Sequence, residues 1–175
     1  MNGLPLVYLN PAGGAQRTPV LAGLADTHKI YRPTFPGSDT PRALANRVAD
    51  HLEREIGKPC DVIGCSLGGA VALWLAIDRP ACVDHLVLCG VEDGKDSDLI
   101  RNLSKIEAKT LILHGTEDRI TGKESVQLLK SRLRRAYLVY LWHAAHDLEA
   151  DQPERTLALV RSFLERSDAF MVNYA

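Results

Sequence analysis

Val62-Ile63-Gly64-Cys65-Ser66-Leu67-Gly68-Gly69 runs without a break into Ala70-Val71-Ala72-Leu73-Trp74-Leu75-Ala76-Ile77. A short apolar run, a serine bracketed by glycines and a long apolar stretch read as a strand, a sharp turn and a buried helix. Glycines at 64 and 68 leave room where a Cβ would collide with the turn, and the serine at its apex is pushed outward. Its place at the amino end of a helix aims free backbone NH groups and the positive end of the helix dipole at any anion formed beside it. Ser66 is therefore the candidate nucleophile. Cys65 adjoins it, but the glycine bracket centres on the serine. Because small residues cluster by chance in turns, the rest of the chain has to carry this reading.

Working outward, apolar runs alternate with helical patterns. Leu4 to Leu9 reads as a first strand, ended by Asn10-Pro11, and Ala15 to Ala25 as a helix. His28 to Tyr31 is a short second strand. Thr40 followed by Pro41 predicts an N-cap and first helical turn, opening an amphipathic helix to about Ile56 with Gly57 as its stop. Cys60 to Cys65 is the third strand and Leu67 to Ile77 the third helix. Asp84 to Cys89 is a fourth strand, followed by a polar stretch with a helical segment from Asp98 to Ile106. Thr110 to His114 is the fifth strand, and Thr121 with Glu124 forms a capping box for a helix to about Arg134. Tyr137 to Trp142 is the sixth strand and Asp151 to Glu165 the last helix. This alternation predicts an α/β fold, a mostly parallel six-stranded sheet flanked by helices.

A chain of 175 residues suits one domain, here residues 1–166 followed by a tail from 167 to 175. With 46% apolar residues, 25% charged and a formal net charge of −1, composition excludes a disordered chain and a polybasic nucleic-acid surface. No apolar run approaches the ~20 residues that cross a bilayer, and the amino end lacks a secretory layout, so the expectation is a cytoplasmic protein that engages neither membrane nor nucleic acid. The four cysteines, Cys60, Cys65, Cys82 and Cys89, lack metal-ligand spacing and read as reduced core thiols. Phe170, Met171, Val172 and Tyr174 give the tail an apolar character, which suits packing on the domain or against a partner subunit in a homodimer.

In open parallel sheets ligands bind beyond the carboxyl ends of the strands, so the residues just after each apolar run carry the chemistry. Ser66 follows the third strand, Asp118 the fifth and His146 the sixth, and the Pro11 to Gly14 turn follows the first. A serine hydroxyl needs a base in contact, and the cation formed on that base needs an oriented carboxylate. Asp93 is a rival acid and His143 a rival base. Asp118 follows its strand more closely and precedes a helix start, whereas His143 sits at a strand end beside Trp142. His28, His51, His85 and His114 read as ordinary surface or core residues.

The chain resembles a small member of the α/β-hydrolase family over nearly its whole length. Gly64 to Gly69 resembles the family's nucleophile elbow, Leu113-His114-Gly115-Thr116-Glu117-Asp118 its strand-then-acid segment, and Ala145-His146 its glycine-histidine loop. The resemblance implies Ser66 as nucleophile, His146 as general base then acid, and Asp118 as the carboxylate that orients it. Asn10-Pro11-Ala12-Gly13-Gly14 is similar to the family's oxyanion loop, with Asn10 in place of histidine and Pro11 in place of the first glycine. Proline has no NH, so the oxyanion donors implied are Leu67 and Ala12. The expected chemistry is hydrolysis of a carboxylic ester or thioester of a small-molecule acyl substrate, with no metal or organic cofactor required; the rival readings are a lactonase or perhydrolase on the same scaffold and a non-catalytic binding protein of hydrolase fold. Only residues 90–109 lie where larger relatives insert a cap, which predicts an open site.

Overall fold

The computed structural model describes residues 3–10, 18–34, 39–91, 96–166 and 169–170. Its strands are β1 (Leu6–Leu9), β2 (Ile30–Tyr31), β3 (Cys60–Cys65), β4 (Val83–Cys89), β5 (Lys109–Gly115) and β6 (Ala136–Leu141). All pair in parallel, in the order β2-β1-β3-β4-β5-β6. The helices are α1 (Pro19–Leu24), α2 (Pro41–Glu55), α3 (Leu67–Asp78), α4 (Ser97–Asn102), α5 (Lys123–Arg132), α6 (Leu148–Asp151) and α7 (Pro153–Arg166). The chain steps from β1 outward to β2, then returns to the other side of β1. Sheets of this kind bind ligands beyond the carboxyl ends of the strands that flank such a reversal, here β1 and β3.

Two apolar layers cover the sheet. On one side α2, α3, α4 and α5 pack against Val7, Leu9, Val62, Leu86, Leu88 and Ile112. On the other, α1, α6 and α7 cover the alternate positions, among them Leu6, Ile63, Val87, Leu111 and Leu113. Period-two alternation sends successive side chains to opposite layers, and because both are dry the strands read as continuous apolar runs. Every residue of α3 from Gly68 to Ile77 is buried, as an all-apolar helix requires. In α2 the buried set is Ala45, Val48, Ala49 and Leu52, one stripe of an amphipathic helix. Among the described residues no helix is long and apolar enough to cross a membrane.

The expected caps of α2 are present. The Thr40 side chain accepts from the NH of Ala43, Pro41 opens the helix, and Gly57, at φ 63°, closes it with its NH bonded to Leu52 O. The expected capping box of α5 is not formed. That helix begins at Lys123 with Gly122 as its N-cap, because Asp118 Oδ1 takes the NH of Thr121 and holds it in the preceding loop. The Thr121 hydroxyl turns inward and donates to Gly90 O at 3.5 Å. β1 starts two residues later than expected, since Pro5 has no NH for a ladder. β2 loses His28, whose NH instead bonds to Leu24 O beyond the end of α1. The last helix is two pieces, α6 and α7, with Pro153 in a first-turn position where its missing NH costs nothing.

Segment 90–109 packs downward where it is described. Leu99, Leu103 and Ile106 are buried in the α3 layer, and Trp74 Nε1 donates to Asp96 Oδ2 at 3.2 Å. Of the tail, Phe170 folds back onto the domain, edge-on to Tyr137 and Phe163. All four cysteines are free, Cys60 and Cys89 buried and Cys65 and Cys82 partly so. Burial pushes the Cys60 thiol up to about 11, keeping it protonated.

One carboxyl lies inside the α1/α7 layer. Glu149 of α6 is 6% exposed and accepts from the Tyr8 hydroxyl at 3.2 Å, while its Oε1 has no partner among the described residues. Burial raises its pKa, and hydrogen bonds from Thr18 and Tyr8 offset only part of that rise. A carboxyl raised in the folded state contributes stability below its unfolded pKa of about 4.3 and loses that contribution as pH rises through the folded value. Glu149→Gln should therefore gain stability relative to the parent between pH 5 and pH 8, measured by urea unfolding, with the gap closing toward pH 4. A gap independent of pH would show that the carboxyl is not raised.

Candidate active site

The turn between β3 and α3 is built by backbone contact. A Cβ on Gly64 would stand 2.7 Å from Gly68 O and 2.8 Å from Gly69 Cα, and one on Gly68 would overlap Leu9 O at the end of β1. Only glycines let the first turn of α3 descend this far between β1 and β3. Ser66 absorbs the reversal at φ 51°, ψ −124°, a sparsely populated conformation for a residue with a Cβ. Its NH is tied to Cys89 O at 3.0 Å, and its side chain makes no capping bond to the helix it precedes. The hydroxyl is thus left for chemistry. The Leu67 NH, next in the chain, belongs to the first turn of α3, whose donors have no partners within the helix.

His146 reaches the same rim. Cys65 and Cys89 are register partners at the ends of β3 and β4, so Ser66 and Gly90 are the next residues on adjacent strands. The imidazole of His146 lies over Gly90. A Cβ at position 90 would come within 3.2 Å of Cε1 and Nδ1 and 2.9 Å of the His146 carbonyl. Gly90 has φ 55°, so both its conformation and its contact require glycine. Gly115 does the same on the next strand, where a Cβ would overlap the carbonyls of Ala144 and Ala145. Ala145 is held from its other side, its NH donating to Asp151 Oδ2 at 2.7 Å.

Asp118 completes the cluster. Its side chain is fully buried; Oδ1 accepts from the NH groups of Ile120 and Thr121 at 2.8 and 2.9 Å, and Oδ2 is 3.0 Å from His146 Nδ1. Burial would raise this carboxyl, but the backbone donors of Thr121 and Ile120 and then His146 outweigh it, and the pKa is lowered. An ionised carboxylate only accepts, so a ring carrying one proton holds it on Nδ1 and presents the lone pair of Nε2. Beneath the pair, His114 is fully buried with Nδ1 3.9 Å from Asp118 Oδ2. Burial lowers its pKa and keeps it neutral.

Ser66, Leu67, Asp118 and His146, the candidates named from the sequence, therefore share one end of the sheet. His143 stands apart: it is 78% exposed, at φ 58°, and its Nδ1 pairs with Glu117 Oε1 at 3.1 Å. Ala12 and the rival Asp93 lie outside the described residues. Gly90, Gly115, Thr121 and Asp151 position the site without any signal in the sequence marking them, because each acts through a contact made across the fold. An open cavity of about 700 Å³ lies beside the pair, lined by residues 116–120 with Ala145 and His146. Leu67, at the start of α3, and Ile120 and Trp142, in the loops after β5 and β6, are exposed apolar residues at this rim.

No protein-family model and no curated protein matches the sequence. Solved structures do match. A putative lipase from Acinetobacter baumannii is 18% identical with a TM-score of 0.85, over 95% of this chain and 85% of that one. The fold is that of the α/β hydrolases. An α/β-hydrolase enzyme from the metagenome of sediments of the Mar Chica lagoon, Morocco, is 21% identical at TM-score 0.82, covering 95% of this chain and 93% of the other. An N-acyl homoserine lactone degrading enzyme is 17% identical at TM-score 0.79, covering 93% of each. At these identities the α/β-hydrolase likeness is one of architecture, and the site has to be argued from its own geometry.

Gly90→Ala tests how the imidazole is placed. The substitution should cost roughly 1–3 kcal/mol in urea unfolding from its positive φ alone. It should also shift the His146 ring resonances in NMR spectra, and unchanged resonances would mean that the ring does not rest on this glycine.

Proposed function

We propose that the protein is a serine hydrolase that cleaves carboxylic esters or thioesters through an acyl-enzyme on Ser66. The observation that carries the reading is the bond of 3.0 Å between His146 Nδ1 and a fully buried, ionised Asp118, with the imidazole lying over Gly90 beside a strained serine. Ser66 Oγ attacks the acyl carbon while His146 Nε2 takes its proton, and Asp118 stabilises the imidazolium. The Leu67 NH, with Ala12 as the second donor expected from the sequence, receives the oxyanion. Collapse expels the alcohol or thiol, protonated by His146. Water then attacks the acyl-enzyme, giving its proton to the same nitrogen, and the carboxylic acid leaves as Ser66 is restored.

The exposed apolar side chains of Leu67 and Ile120 offer a surface to a small apolar acyl group. A second reading is a lactonase, since Ser66, His146 and Asp118 in the same roles would open a cyclic ester. A lactone is an internal ester, so the same steps apply, but its leaving hydroxyl stays tethered to the acyl group and the product is a single hydroxy acid.

A fluorophosphonate probe should label the parent and not Ser66→Ala, and p-nitrophenyl acetate should be turned over. Asp118→Asn should lower kcat about 10⁴-fold. His146→Ala should abolish turnover, whereas His143→Ala should leave most of it. Labelling that persists in Ser66→Ala, or the reverse result for the two histidines, would overturn the assignment. Loss of ester turnover in a folded, probe-reactive protein that opens lactones would favour the second reading.

A further inference from the structure

A second cluster of chemistry-bearing side chains lies at the opposite end of the same strands. Asp61 is the second residue of β3 and His85 lies near the start of β4, and the two are register partners. The register jumps between Cys60↔Val83 and Asp61↔His85, leaving Asp84 as the unpaired residue of a β-bulge. Consecutive strand residues ordinarily face opposite layers, but the bulge brings the Asp84 carboxylate round to its neighbour's imidazole. His85 Nδ1 consequently stands 2.8 Å from Asp61 Oδ1 and 3.0 Å from Asp84 Oδ2. The ligand atoms of all three residues fall within 4.8 Å of one another.

Two carboxylates converging on one ring nitrogen is a poor arrangement for hydrogen bonding. A single Nδ1–H aims well at only one of them, and the two anions repel each other with Asp61 3% exposed. A cation among the three atoms removes both difficulties. With metal–ligand bonds of about 2.0–2.1 Å, the edges of a tetrahedral site are about 3.3 Å long, so the two separations from His85 Nδ1, 2.8 and 3.0 Å, need to open by only a few tenths of an ångström. Imidazole nitrogen with carboxylate oxygen suits Zn²⁺.

We propose that Asp61, Asp84 and His85 Nδ1 bind one divalent transition-metal ion, Zn²⁺ foremost, with water completing its coordination. His28 supports the site from behind. Its Nε2 is 3.6 Å from Asp61 Oδ2, its Nδ1 is 2.8 Å from Thr27 Oγ1, and a Cβ on Gly3 would stand 2.9 Å from its ring. Such partners orient a ligating carboxylate. On the inner side the His85 ring meets Phe163 edge-on at 5.6 Å, which fixes its plane. Asp84, with its side chain half exposed, supplies the route from solvent. The ion staples β3 to β4 at their amino ends, five residues and roughly 16 Å along β3 from Ser66. Its role is stability, and it does not depend on the proposed hydrolytic reaction.

The test uses the full chain after treatment with a chelator, with added ZnCl₂. Equilibrium dialysis should show one Zn²⁺ per chain, and the Tm should rise with Zn²⁺ concentration. Asp84→Asn and Asp84→Ala, changed at a half-exposed side chain, should fold, keep esterase activity and lose at least about tenfold in Zn²⁺ affinity together with the Tm rise. Co²⁺ loaded in place of Zn²⁺ should show no thiolate charge-transfer band. A parent whose Tm ignores Zn²⁺, variants that keep the parent's affinity, or a Co²⁺–thiolate band would each overturn the proposal.

Discussion

Backbone meets backbone where α3 enters the sheet, and no side chain separates the two surfaces. The first turn of α3 rests on the carbonyl of Leu9 through Gly68 and on β3 through Gly64. That descent forces the chain to reverse within one residue, and Ser66 takes the strain. A conformation of this kind costs on the order of 1–3 kcal/mol. The unbroken burial of α3 from Gly68 to Ile77 offsets it, since one fully buried leucine such as Leu73 or Leu75 contributes about 1.5–3 kcal/mol. The apolar helix is therefore the cause of the strained, half-buried serine at its head, and the same descent sets the Leu67 NH beside it.

Two buried carboxyls show how the fold divides acid from acid. Asp118 and Glu149 both lose water, and burial alone would raise both. Asp118 stands in a tight loop whose backbone turns two NH groups onto one oxygen and whose histidine faces the other, so it stays ionised. Glu149 receives only hydroxyl donors, lies near Asp147, and is raised. Donor supply, more than depth, separates them. Supply is set by the loop after β5, which is why Thr121 serves the acid and leaves the capping of α5 to Gly122.

β3 connects two ends of the sheet at which chemistry-bearing side chains gather. At its carboxyl end Ser66 stands where the strand order reverses, the place at which such sheets bind ligands. At its amino end Asp61 meets His85 across a bulge. A parallel sheet allows both because its loops of one kind gather at each end, leaving six apolar strands as a rigid spacer between them.

Sequence by itself determined what local chemistry and period can determine. Alternating apolar runs and helical stripes dictated an α/β fold, the stretch from Val62 to Ile77 dictated a strand, turn and buried helix, and Thr40, Pro41 and Gly57 marked the ends of α2. Ser66, Asp118 and His146 were legible because each follows a strand, and parallel strands deliver such residues to one rim. Tertiary structure alone decided the rest. Whether Thr121 caps a helix or serves Asp118 depends on a competing acceptor three residues earlier; whether Gly90 is a spacer or the bed of an imidazole depends on a loop 56 positions away. The pairing of Asp61, Asp84 and His85 likewise rests on a register slip that composition and spacing do not encode. Local patterns report which elements form, whereas contacts between distant segments are chosen by packing, and packing is a property of the whole fold.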